Sequence, residues 1–183
     1  MLTAAWNNPA ASAFALLGTI CFIGWPLCRT RRGMLLVQVG IGFGFGLHYA
    51  LWGGATAALV NGLGAVQTAA SLLFGTSRRL RWLGFAFIPG IVGACALTWN
   101  GFPSILAAAG QILMAFGRVQ IAPSAMRALV LSGTFFWLAH DRIVGSPLLI
   151  ADLLSLATGA VALLRHAAPR CTPLAMIPSH RMR

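Results

Sequence analysis

Between Ala10 and Leu164 the chain is a succession of apolar windows that no soluble fold could bury. A helix crossing the hydrocarbon layer needs about 20 apolar residues, within a range of roughly 17–25. Windows of this kind cover Ala10–Cys28, Met34–Trp52, Ala55–Gly75, Trp82–Trp99, Ser104–Gly117, Met126–His140 and Ser146–Leu164, the fifth and sixth being the shortest. Their apolar residues are continuous rather than alternating with period two, which excludes a β-barrel. With the exception of Asp152, charge is pushed to the ends of these windows and the gaps between them. The only acidic residues are Asp141 and Asp152, and all 13 basic residues are Arg. Charged residues make up 8% of the chain, against about 25% in a soluble domain. A disordered chain and a soluble enzyme are thereby excluded. Nucleic acid is disfavoured as a partner, because the arginines form short groups separated by long apolar runs instead of one basic face. Cys21, Cys28, Cys95 and Cys171 have no CxxC spacing and read as packing residues. The fold class is an all-α membrane protein with seven transmembrane helices.

The arginines orient these spans. Arg29, Arg31 and Arg32 follow the first, Arg78, Arg79 and Arg81 the third, Arg118 and Arg127 flank the fifth loop, and Arg165, Arg170, Arg181 and Arg183 follow the last. The alternate connections carry none, except Arg142 beside Asp141. Such alternation predicts a multi-pass protein with its N-terminus outside and its C-terminus in the cytoplasm. Trp6, Trp25, Trp52, Trp82 and Trp99 fall at span ends, as an interfacial aromatic belt would.

Sliding the chain on itself by 92 residues aligns Ser12 with Ser104, Gly18 with Gly110, Met34 with Met126, His48 with His140 and Gly53 with Gly145. The shift maps spans one to three onto five to seven and leaves the fourth unmatched. An odd-numbered repeat would be inverted without that fourth span, so a 3+1+3 plan predicts two parallel triple-helix repeats about an axis along the membrane normal. The single membrane domain then divides into a first repeat over 8–76, a linker helix over 81–99, a second repeat over 102–166 and a tail over 167–183.

The stretch Leu47-His48-Tyr49-Ala50-Leu51-Trp52-Gly53, followed by Ala57-Ala58-Leu59-Val60-Asn61, resembles the YgjV-type bacterial inner-membrane proteins, as does Phe136-Trp137-Leu138-Ala139-His140 with Ser146–Arg165. That family is similar in plan to the SWEET, SemiSWEET and PQ-loop superfamily of small-solute transporters. The resemblance implies repeats packed in the order one-three-two around a central cavity, with a polar residue of each third helix, here Asn61 and Asp152, on the substrate. No Pro-Gln pair is present, and Pro26 has Arg118 as its repeat partner, so the hinge of the sugar transporters does not carry over.

Polar groups at bilayer depth are costly, roughly 2.5–3.5 kcal/mol for an ionisable one, so each needs a reason. Asp152 is the only acidic residue inside a predicted span, and Asn61 lies at similar depth. Thr19 and Gln111 coincide under the shift, as do His48 and His140 at the outer ends of spans two and six. These six residues are the candidate substrate-binding set, lining a cavity open outward, with Gln38, Gln67, Thr68 and Thr158 extending it inward. Asp152 reads either as a substrate or proton site or as interhelical glue paired with Arg142 or a histidine. Two histidines are too few for a metal site, no cofactor motif occurs, and no GxSxG elbow supports a hydrolase. Gly40, Gly42, Gly44 and Gly46 form two GxxxG registers and read as packing, while Pro89-Gly90 with Gly93 predicts a kink in span four. The expected function is a small-solute transporter or facilitator, not an enzyme. The alternative is a non-transporting receptor or scaffold with the polar cluster as ligand pocket or subunit interface. The partners implied are the lipid bilayer and a small polar solute; homo-oligomerisation is compatible with the pattern but not required by it.

Overall fold

The computed structural model describes residues 8–75, 77 and 80–167. Trp6, Arg78, Arg79 and the tail from 168 onward lie outside the described residues. Among those described there are seven helices: α1 Pro9–Gly24, α2 Arg31–Trp52, α3 Ala55–Phe74, α4 Phe87–Leu97, α5 Phe102–Val119, α6 Pro123–Val144 and α7 Leu149–Ala167. Four stretches are long and apolar enough to cross a membrane, namely α1 extended to Leu27, α2, α3 and α5. Of the other three, one is short and two carry acidic residues. The α4 helix has 11 residues behind a 3-10 segment, Leu80–Ala86. The α6 helix carries Arg127, Asp141 and Arg142, and α7 carries Asp152 in its first turn.

Helix ends follow local chemistry. Asn8 caps α1 by accepting from the N–H groups of Ala10 and Ala11, and Thr30 caps α2 by accepting from Gly33. Both α2 and α6 end on a left-handed glycine, Gly53 (φ 87°) and Gly145 (φ 68°). The following N–H, of Gly54 or Ser146, returns to the carbonyl of Tyr49 or Asp141. Pro89 is the third residue of α4, close to where the 3-10 segment Leu80–Ala86 gives way to α-helix.

The helices form a closed cycle of neighbours. Each of α1, α2 and α3 packs on the next, α3 packs on α5, α5 on α6, α6 on α7, and α7 returns to α1. Outside the cycle, α4 leans on α3 and α5. The second helix of each set of three is therefore the middle one, which corrects the one-three-two order that the resemblance implied. Glycine spacing explains it. Residues two apart on a helix lie about 200° apart, so the two GxxxG registers of α2 are smooth on opposite sides. A Cβ at Gly40 or Gly44 would meet Cys21 or the Gly18 backbone of α1, and one at Gly42 would meet Ala65 of α3. On α6, Gly133 lies against the Gly110 carbonyl of α5.

Large apolar side chains such as Leu16, Ile20, Leu36, Leu73, Phe135 and Leu164 point outward, more than a soluble protein leaves in water. Trp82 and Trp99 are exposed at helix ends as expected, but Trp25 is fully buried in the 3-10 turn after α1, which corrects its place in the aromatic belt.

Candidate functional site

The two ends of the bundle differ in chemistry. One holds the left-handed glycines, and is called the glycine end; the other holds the arginines. At the arginine end, Arg31 of α2 donates to the carbonyls of Arg118 (2.8 Å) and Gln120 (2.7 Å), closing the C-terminus of α5. Arg127 of α6 does the same after α1, donating to Pro26 (3.0 Å) and Cys28 (2.6 Å). Cations at helix C-termini satisfy orphan carbonyls and oppose the helix dipole.

Inside the cycle lies a cavity of about 30 Å³ with two polar layers. At its glycine end are Tyr49, Asp141, Asn61 and Asp152, and at its arginine end Gln38 and Arg118. Gln38 and Tyr49 are eleven residues apart on α2, which separates the layers by about 16 Å. Phe22, Phe45, Met114, Val130 and Trp137 fill the wall between. Four pairs of lining residues are 92 positions apart in sequence: Phe22 and Met114, Gln38 and Val130, Phe45 and Trp137, Tyr49 and Asp141.

The glycine-end layer is a connected network. The Tyr49 hydroxyl donates to Asp141 Oδ1 at 2.5 Å, and His140 Nδ1 lies 2.8 Å from the same oxygen. Trp137 stacks on Tyr49 with ring centres 6.1 Å apart. Asp141 is 2% exposed, so two donors on one carboxylate oxygen are what make its burial tolerable. Asp152, 3% exposed, is held by the first turn of α7, where the helix dipole favours an anion, yet its Oδ2 has no hydrogen-bond partner.

The arginine-end layer is the converse. Arg118 is 6% exposed in the last turn of α5. It donates to Gln38 Oε1 (3.2 Å) and Gln67 Oε1 (3.0 Å), and no carboxylate pairs with it among the described residues. Gln67 is fixed in turn by donating to the Gly84 carbonyl at 2.8 Å. Gln38 Nε2 is buried without a partner.

A second, larger cleft of about 830 Å³ opens at the glycine end. Trp52, Trp99, Thr56, Ser104, Asn100 and His140 are among its walls. Tyr49 lines both spaces and bonds to Asp141.

Of the six candidates from sequence, Asn61 and Asp152 line the cavity together, although the Asn61 amide donates within its own helix to Ala57 at 2.9 Å. His140 sits at the cleft boundary. His48 is buried against the Ala11 carbonyl at 3.0 Å. Gln111 is buried where a Cβ at Gly64 would strike it, and Thr19 is half-buried on α1; neither forms part of the cavity wall. Arg142 is exposed, so Asp152 does not pair with it, and the histidine beside a carboxylate is bonded to Asp141 instead. Asp141, Tyr49 and Arg118 were missed. The first and last looked like loop charges, but α6 runs past His140 to Val144 and α5 through Val119. The 92-residue shift, which superposes Tyr49 on Asp141, was the signal that could have found the pair.

The chain belongs to the Imp-YgjV family of bacterial inner membrane proteins, which it matches over residues 10–169. No curated protein and no solved structure matches it.

Proposed function

We propose that this inner membrane protein is a small-solute transporter or facilitator, with the cavity as the solute's station between two parallel three-helix repeats. The repeats are 8–76 and 102–166, joined by the linker helix within 81–99. The supporting observation is the composition of the cavity wall. Four pairs of residues 92 apart line it, and Tyr49 and Asp141 touch. Equivalent positions of two repeats meet only near a shared axis, and an axis along the membrane normal is where a solute path belongs. The two clamps repeat the same logic, since Arg31 of the first set closes α5 and Arg127 of the second closes α1. The duplication is shared in plan with the SWEET superfamily; the helix order is not.

The reading places the arginine end in the cytoplasm by the positive-inside rule, with the N-terminus outside and the C-terminus inside. The cleft is then the outer vestibule, Tyr49–Asp141 the outer barrier and Arg118–Gln38–Gln67 the inner one. Polar lining continues past mid-depth to Arg118, which favours passage over a blind pocket. The contrast between a roomy cleft and a 30 Å³ cavity favours the second reading, a non-transporting receptor or scaffold whose ligand stops at Tyr49. In neither reading is the protein an enzyme. A screen of small-solute uptake into proteoliposomes, wild type beside Asp152→Asn, separates the two. Transport requires uptake of at least one solute that the variant loses at equal folded yield, whereas wild-type uptake no different from empty liposomes opposes it.

A further inference from the structure

The glycine-end network has a feature that solute passage alone does not use. Protonatable groups lead from the cleft to the cavity. His140 lines the cleft, its Nδ1 lies 2.8 Å from Asp141 Oδ1, and Asp141 lines the cavity that Asp152 also faces. Tyr49 donates to Asp141 and holds it in place. At the end of the path stands Asp152 Oδ2, buried in the cavity wall without a partner. A cavity of about 30 Å³ exceeds the roughly 10–15 Å³ that one water needs, and Asp141, Asp152, Asn61 and Tyr49 supply the polar contacts to hold it. Histidine is the side chain suited to exchanging protons with water near neutral pH.

We propose that the cavity is a proton-binding site: Asp152 is the acceptor, and His140 with Asp141 is the route by which protons reach it from the cleft. The proposal rests on the cavity being part of a solute path, which it would couple to protons. Each transfer balances. His140 takes a proton at Nε2 from a hydronium ion in the cleft, leaving water, and releases its Nδ1 proton to Asp141, leaving a neutral ring and a neutral carboxyl. Asp141 gives its proton to the cavity water as that water gives one to Asp152, which restores the Asp141 carboxylate and neutralises Asp152. A ring flip of His140 then turns its N–H back towards Asp141. The other charged or titratable groups at this cavity are Tyr49 from α2 and Arg118 from α5; α1 and α3 contribute only Phe22 and Asn61.

The test is infrared difference spectroscopy after an acid jump, on the full chain in liposomes with no solute added. The expected result is a protonated-carboxyl band that Asp152→Asn removes and Asp152→Glu displaces in frequency. His140→Gln should keep the amplitude but slow the rise by roughly 10²-fold, the scale of a lost proton relay. No band in the wild type, or an unaltered band in both Asp152 variants, overturns the site. An unaltered rate in His140→Gln overturns the route. Because no solute is present, these failures are distinct from a failure to transport, which uptake alone decides.

Discussion

Gly44 offers the sharpest test of the helix order, because two opposing effects of one methyl group can be weighed. In a helix, Gly→Ala gains about 1 kcal/mol from backbone entropy. At Gly44 the new Cβ would lie 2.6 Å from Gly18 N, 2.8 Å from Gly18 Cα and 2.9 Å from the Phe14 carbonyl oxygen. All three are backbone atoms of α1, so no rotamer can yield and the helices must part. Overpacking of this kind costs about 1–3 kcal/mol, and rigid neighbours place it at the upper end. The net expectation for Gly44→Ala is a loss of about 1–2 kcal/mol. Gly62 on α3 is the control, since a Cβ there meets nothing within 4 Å, and Gly62→Ala should gain about 0.5–1 kcal/mol. The variants should then differ by about 1.5–3 kcal/mol, or about 3–12 °C in unfolding temperature for a chain of this size. Thermal unfolding in the same detergent measures it. Gly44→Ala melting at or above Gly62→Ala would refute the close approach of α1 and α2, and with it the middle position of α2.

Three further outcomes follow from named contacts. Arg127→Ala should cost about 2–3 kcal/mol in thermal unfolding, because two carbonyls lose a charged donor, while exposed Arg29→Ala should change stability by less than about 0.5 kcal/mol; equal effects would contradict the clamp. Tyr49→Phe should cost about 1–3 kcal/mol by leaving Asp141 one donor short, with a change in Trp137 fluorescence since the two rings stack; an unchanged melting curve would contradict the barrier's hydrogen bond. Reporter fusions after Arg165 should be active only as cytoplasmic reporters, and activity in a periplasmic reporter would reverse the topology.

Each of the seven apolar windows overlaps one of the seven helices found among the described residues, since a long apolar stretch in lipid leaves a backbone little alternative. The packing order was not read from the sequence, where the resemblance implied one-three-two, although the two small faces on opposite sides of α2 suit two neighbours. The charged residues were legible only in part. Asp152 stood out inside an apolar run, and Asn61 came with it by resemblance. Asp141 and Arg118 did not stand out, because each adjoins a loop in sequence. Their burial depends on Tyr49, Gln38 and Gln67, which lie far along the chain. Periodicity cannot see such partners, whereas a superposition of the two halves does. Trp25 misled for a similar reason: a span-end tryptophan in sequence becomes a core residue when the turn after α1 is folded under.

Whether the cavity serves passage can be measured without knowing the solute. With Cys21, Cys28, Cys95 and Cys171 replaced by serine, Asn61→Cys places one thiol on the cavity wall. Sealed right-side-out and inside-out vesicles are then treated with a membrane-impermeant thiol reagent. A transporter that opens its barriers in turn predicts labelling from both faces, with Tyr49→Phe raising the rate from the glycine end. Labelling from one face alone, or from neither, would contradict passage through this cavity.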